Sequence, residues 1–468
     1  MLGVPTNLPV VCHKSAPSTL FLCGDHSGDD PHTVSSNVRG IRMFRSNAPV
    51  SDNRSSVQET PPPTRILVIG AGYAGLLFTM RLAGKVARQH IQIALVNDSD
   101  TFTERPHLPE FATNQVIQWR SLPQILRRTH VQFIQGRVTS IDPAHHEIVV
   151  VDQQHTHHVE YDYLVYALGS VTDRQSVPGV AQYAYTLAPS GPLSAAALRE
   201  TLPSVEAKHG HVVICGGGPT GIETAAEVAT AYPHLKVHLV TQGPFSLFLG
   251  KTVASSIRRS LTRLGVEIID QTTVAAVHAH SVVLDQASEI PCDLCIWTGG
   301  FVAPSLAREA GLAVNERNQI IVDPFLRSIS HPEIYAIGDA AHPGEDPGAP
   351  VRMSAVTATI MGAHGADCLS ATLRGKTPRP LSFAYIGQGI ALGRHNAIGF
   401  NNYPDDKPNP PYFTGWLGYL IREGFVRYLA IATQRPGIFV WVGKRRYASA
   451  QRRQQAREQN KQRQPRRA

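Results

Sequence analysis

One pattern, present twice, constrains this chain more than any other: a short apolar, β-branched run that passes directly into a glycine-rich turn and then into a helical pattern. Arg65-Ile-Leu-Val-Ile69 enters Gly70-Ala-Gly72-Tyr-Ala-Gly75, and a helix is expected from about Ala74. Roughly 145 residues later, Val212-Val-Ile-Cys215 enters Gly216-Gly217-Gly218-Pro-Thr-Gly221. In such a turn the first glycine permits the tight bend, the second lets backbone approach a pyrophosphate, and the third lets helix and strand pack closely. The helix N-terminus adds partial positive charge. Each unit continues into a second strand-like run, Ile91-Gln-Ile-Ala-Leu-Val96 and Lys236-Val-His-Leu-Val240. Two βαβ units predict an α/β protein with two Rossmann-like dinucleotide-binding domains.

Composition narrows the partners. With 42% hydrophobic and 17% charged residues, the 468-residue chain can bury large cores, and wholesale disorder is excluded. The net charge of +8 suggests nucleic acid until it is localised. Residues 444–468 hold ten Lys or Arg against one acid, Glu458, so the rest of the chain is near neutral. A charge run without interleaved aromatics is ordinarily a solvated tail, and no specific nucleic-acid partner is expected. Six cysteines, four of them scattered, make no disulfide framework and suit a reducing, cytoplasmic compartment. No apolar run reaches the roughly 18 residues of a spanning helix. Pro9, His13, Lys14 and Pro17 interrupt the opening segment and argue against a secretory signal.

The ribose partner of the first site should end its second strand, where Asn97 stands in place of the usual acid, next to Asp98. An amide can still hydrogen-bond ribose hydroxyls. In the second unit the strand ends in Thr241-Gln242, with neither an acid for a free 2′-hydroxyl nor an arginine for a 2′-phosphate. NADH and NADPH are therefore not distinguished.

Both loops in this order, with Leu108-Pro-Glu-Phe-Ala112, Gly136-Arg-Val138-Thr-Ser-Ile-Asp142, Tyr161-Asp-Tyr-Leu-Val-Tyr-Ala167-Leu-Gly169, Ile296-Trp-Thr-Gly299-Gly300 and Tyr335-Ala-Ile-Gly338-Asp339, span about residues 65–395. This set resembles the two-dinucleotide-binding-domain flavoproteins, and among them the type II NADH dehydrogenase-like group. The resemblance implies an FAD site formed by Gly70, Gly72, Tyr73, Ala74, Gly75, Asn97, Val138, Gly169, Gly338 and Asp339, the aspartate bonding the ribityl and pyrophosphate region. It implies NADH or NADPH as substrate at Gly216, Gly218 and Gly221, and places Glu223, as catalytic residue, near the nicotinamide and flavin rings. Without a ligand, Asp339 reads as a helix N-cap, a reading that the presence of both glycine loops disfavours, and Glu223 reads as a solvated acid favoured by the helix dipole.

The organisation implied is a disordered leader over 1–63, the first part of the FAD domain over 64–190, the NAD(P) domain over 204–300, and the second part of the FAD domain over 301–380. A C-terminal domain follows over 381–443, then the basic tail. The activity implied is that of an FAD-dependent NAD(P)H oxidoreductase passing hydride to flavin and electrons to an acceptor. Quinone is the leading acceptor, and a soluble acceptor or electron-transfer protein the alternative. A non-enzymatic flavoprotein that binds partners through its tail is the reading from another class.

Two departures stand out. No cysteine lies between Cys23 and Cys215, which excludes the dithiol chemistry of the disulfide reductase branch. Where quinone-reducing members carry paired glutamines, this chain has Ser354 and Ala358.

Three further features are assigned structural roles. Cys292 and Cys295 are read as core thiols rather than metal ligands, and no metal centre is expected. Histidines 145, 146, 155, 157 and 158 are read as decorating a solvated hairpin, with metal binding the lesser alternative. Residues 412–443 mix aromatics with Arg422, Arg427 and Arg435. They read either as an interfacial helix on the inner face of the cell membrane or as a helix packed on the flavin domain. Oligomeric state is not legible.

Overall fold

The computed structural model describes residues 62–437 apart from positions 286, 345–350, 384, 386, 404 and 405. The leader through residue 61 and the basic tail lie outside the described residues. Two five-stranded sheets organise the chain. The first runs in the order Ile334–Ala336, Tyr163–Tyr166, Thr64–Ile69, Ile91–Asn97, Val131–Gln135, with every pair parallel. The second runs Ala184–Tyr185, Leu294–Trp297, His211–Cys215, Lys236–Thr241, Glu267–Asp270, again all parallel. The edge strand of the first sheet thus comes from beyond the second, which makes the second domain an insertion in the first.

The central strands read as continuous apolar runs because helices cover both faces of such sheets. Ile66, Leu67, Val68 and Ile69 are each no more than 1% exposed. The helix Tyr73–Ala83 is buried along most of its length against the sheet and the long helix Ala355–Thr372. These two helices touch at Gly362, where a Cβ would stand 2.4 Å from the Ala74 carbonyl oxygen.

Both glycine turns form as the sequence predicts. Gly70 has φ +96°, and a Cβ on Gly75 would lie 1.9 Å from the Gly70 oxygen, so each accepts only glycine. The second turn repeats this at Gly216 and Gly221. Beyond the sheets, a three-stranded antiparallel unit, Gly387–Ala391, Ala397–Asn402 and Pro408–Thr414, leads into the C-terminal helix Gly415–Gln434. Among the described residues, no helix is long and apolar enough to cross a membrane.

Candidate functional site

Both glycine loops open into one cavity of about 920 Å³. The first contributes Gly72, Tyr73 and Ala74, the second Gly216 and Gly218, and Gly169, Asp339 and Glu223 complete the sequence-predicted residues on its wall. Gly72 and Gly218 are the N-cap residues of their helices, and neither makes a side-chain cap. First-turn N–H groups are therefore free for an anion. A Cβ at either glycine would meet no protein atom within 4 Å, so both loops present bare backbone to open space.

Asp339 supplies an independent sign of a missing polar ligand. Its Oδ2 accepts from the Ser170 hydroxyl at 2.7 Å, while its buried Oδ1 finds no hydrogen-bond partner among the described residues. Burial raises its pKa, against the opposing Arg105 charge and the Ser170 bond. A buried carboxylate oxygen on a cavity wall is an acceptor for a hydroxyl, as a ribityl chain would offer. The donor set, two phosphate-ready loops and this carboxylate, fits FAD at the first loop and a nicotinamide nucleotide at the second.

The remaining predicted residues shape the site from behind. Gly70, Gly75 and Gly221 form the turns, and Gly338, at φ +72°, sits where a Cβ would meet the Ala74 side chain at 2.8 Å. Val138 lies half-buried in the strand Arg137–Asp142, paired with Val150, and does not line the cavity. Asn97 is committed to the loop: its Oδ1 accepts from the Ala71 amide at 2.9 Å and its Nδ2 donates to the Ser99 carbonyl at 2.8 Å.

Glu223 is half-buried, its side chain 13% exposed, rather than solvated, which corrects the dipole-only reading of that residue. Its Oε1 accepts from the Ala391 amide at 2.9 Å and lies 3.4 Å from Arg422. Burial raises its pKa, with Arg422 opposing. Arg422, expected on a cationic helix face, has a side chain only 2% exposed. It bonds Glu110 at 2.7 Å, Glu423 at 2.5 Å and the Pro106 carbonyl at 2.9 Å. Burial pushes Glu110 upward, but His107, bonded at 2.7 Å, and Arg422 outweigh it and hold that carboxyl low. One helical turn beyond Glu223, Glu227 accepts from Gln115 at 2.8 Å and is pushed up to about 7 by burial and then by the Glu110 charge.

Sequence reasoning missed Arg105, Arg352 and the buried role of Arg422 on this wall. Arg105 donates to the Ser170 carbonyl at 2.9 Å, and Arg352 pairs with Asp406 at 2.5 Å while stacking over Tyr385. Ser354 accepts from the Thr357 amide as the N-cap of the helix Ala355–Thr372, and Ala358 lines the cavity. Cys215, Cys292, Cys295 and Cys368 are buried thiols outside any disulfide, and none lines the cavity.

Residues 64–363 match the family model described as pyridine nucleotide-disulphide oxidoreductase. The demethylphylloquinone reductase NdbB of Synechocystis sp. is 29% identical over 348 residues, covering 71% of this chain and 86% of that protein. The type II NADH:quinone oxidoreductase Ndh of Mycobacterium tuberculosis is 25% identical, covering 80% and 85%. Among solved structures, NDH2 from Plasmodium falciparum in complex with NADH superposes with a TM-score of 0.67 at 17% identity, covering 81% of this chain and 97% of that one.

Proposed function

The chain belongs to the pyridine nucleotide-disulphide oxidoreductase family and is an FAD-dependent NAD(P)H oxidoreductase; we propose that its acceptor is a quinone drawn from a membrane surface. FAD, which the Gly72 loop and Asp339 would hold, would supply the two-electron chemistry between nicotinamide and acceptor. The protein's part is to hold the two dinucleotides from opposite sides of one cavity, so proximity carries the rate and no protein nucleophile is needed. Glu223 stands on the nicotinamide side, held by the Ala391 amide and Arg422, where it can orient a carboxamide or hold a proton.

One observation carries the choice of acceptor. The C-terminal helix lines the cavity with Phe425, Val426 and Leu429, while its outer side exposes Trp416 (64%), Leu417 (50%) and Leu420 (44%). Large apolar side chains clustered in solvent mark a contact surface, and the same helix brings that surface to the cavity wall. The adjoining tail, ten Lys or Arg against one acid, would add attraction to anionic lipid. The names of the relatives, which include quinone reductases, favour the same reading.

The test is NAD(P)H oxidation with a quinone, alone and in anionic vesicles. We expect quinone-dependent turnover, and vesicle binding that falls on deletion of residues 444–468 or in high salt while turnover with a soluble acceptor survives. No quinone-dependent rate would refute the acceptor, and equal flotation of both proteins would refute the membrane contact.

The division of labour between the loops is tested by Gly218→Val. Its φ of −75° suits any residue and the added atoms enter open cavity, so the fold should stand. Expected is loss of NAD(P)H turnover with the flavin absorbance intact. Flavin lost together with turnover would show that the loops do not act separately.

A further inference from the structure

The hairpin joining Glu147–Val151 to Thr156–Glu160 departs from a simple solvated turn. Its side chains alternate with period two, and His157, opposite Val150, points inward and is only 6% exposed. Asp152 opens the turn. Its Oδ1 accepts from the backbone amides of Gln154 and His155, each at 2.7 Å, which fixes the carboxylate in one orientation. That leaves Oδ2 directed at His157 Nε2, 2.7 Å away. The exposed His155 lies alongside, its ring centroid 5.9 Å from that of His157.

We infer that Asp152, His155 and His157 form a binding site for a divalent transition-metal ion of the zinc type. One ligand atom from each lies within 4.8 Å of the other two. Tetrahedral coordination at ~2.1 Å needs ligand atoms about 3.4 Å apart, so the 2.7 Å His157 to Asp152 contact opens and the two edges to His155, each within 4.8 Å, settle near the same length. His155 is the ligand free to make that adjustment, since it is exposed. The other two arrive already oriented, one by turn amides and one by strand packing. Two imidazoles and a carboxylate select zinc-type ions over magnesium or calcium, and a solvent molecule completes the coordination.

A second set of comparable spacing, His107, Glu110 and Glu423, offers a contrast. There Arg422 bonds both carboxylates, at 2.7 and 2.5 Å, so a guanidinium already occupies the position a cation would take. Among the described residues no such cation faces Asp152, whose carboxylate contacts two amides and His157. The alternative is a His–Asp hydrogen bond that merely fastens the hairpin. A fastening pair would bind no metal and would be indifferent to His155.

The experiment uses the full-length, flavin-loaded protein, stripped with chelator and titrated at neutral pH with Co²⁺ and then Zn²⁺. One equivalent of Co²⁺ should bind with the visible absorption of a low-coordinate nitrogen and oxygen site, and Zn²⁺ should displace it. His155→Gln and His157→Gln should each weaken binding by about tenfold or more, whereas His211→Gln, in the other domain, should not. Because His155 is exposed, its replacement leaves the packed hairpin intact and keeps the test sound if His157→Gln unfolds it. Binding only at millimolar metal, or binding unchanged by His155→Gln, would overturn the site.

Discussion

Gly72→Val is expected to yield a folded protein that purifies colourless. Gly72 caps its helix at φ −72°, ψ −167°, a conformation open to valine, and a Cβ there meets no protein atom within 4 Å. The new methyl groups fall instead where the loop must approach a pyrophosphate, so the damage is to the ligand and not to the fold. Flavin absorbance after refolding with FAD should drop from one equivalent to none, with the far-ultraviolet circular dichroism unchanged. Gly75→Val would not serve, because its Cβ would collide with the Gly70 oxygen at 1.9 Å and break the turn itself. A yellow Gly72→Val protein holding a full equivalent of FAD would remove the first loop from the cofactor site.

The second large effect is expected at Arg422. Its guanidinium pairs with Glu110, Glu223 and Glu423 from the centre of a largely buried cluster and offsets part of their charge. Burial opposes the charge, but these three carboxylates outweigh it and raise its pKa. Arg422→Ala would strand them. Removing one partner of a buried ion pair typically costs about 3–5 kcal/mol, which for a protein of this size is a fall in melting temperature on the order of 10 °C. The pH dependence follows from the sign of the new shifts. Without the arginine the buried carboxyls have raised pKa values in the folded state, so they are tolerated while protonated and destabilise once ionised. The deficit should be large at pH 8 and shrink toward pH 5. Calorimetry of both proteins at the two pH values is the measurement, and equal melting at pH 8 would mean that Arg422 contributes no net stabilisation there.

Some features were legible in the sequence because their physics is local. Each glycine turn is contiguous with the strand before it and the helix after it, so steric demand and backbone path could be read within about a dozen residues. The Arg422 cluster lies at the other extreme. Glu110 and Arg422 are 312 positions apart, and neither has a neighbour that announces the pairing. Read alone, Arg422 is one arginine among several on an aromatic helix, and Glu223 is an acid in a first turn. Burial follows from the C-terminal helix folding back over Gly389, where a Cβ would stand 2.8 Å from the Arg422 side chain.

Asn97 shows an intermediate case, since its position at the strand end was visible but its commitment to the Ala71 amide was not. His157 was within reach and was missed. The alternation through Thr156, His157, His158 and Val159 already puts histidine 157 on the same side as the apolar valine. The C-terminal helix packs on the first domain, one of the two expectations offered as rivals: Leu429 and Ala430 enter its core, while Trp416 and Leu417 stay in solvent.

The insertion of one domain inside the other has a consequence for the order in which the molecule is made. During translation every strand of the second sheet, from Ala184 onward, has been made once Leu294–Trp297 emerges, although its core still lacks Ile390, Ile398 and Phe400. The first sheet must wait, with the helix Tyr73–Ala83 uncovered, until Ile334–Ala336 and then Ala355–Thr372 leave the ribosome. Arg422 comes later still, and reaches back to anchor Glu110 and Glu223. Nascent chains would therefore complete the strands around the second glycine loop before the first is secured, and a fully formed cavity would report that synthesis has run almost to its end.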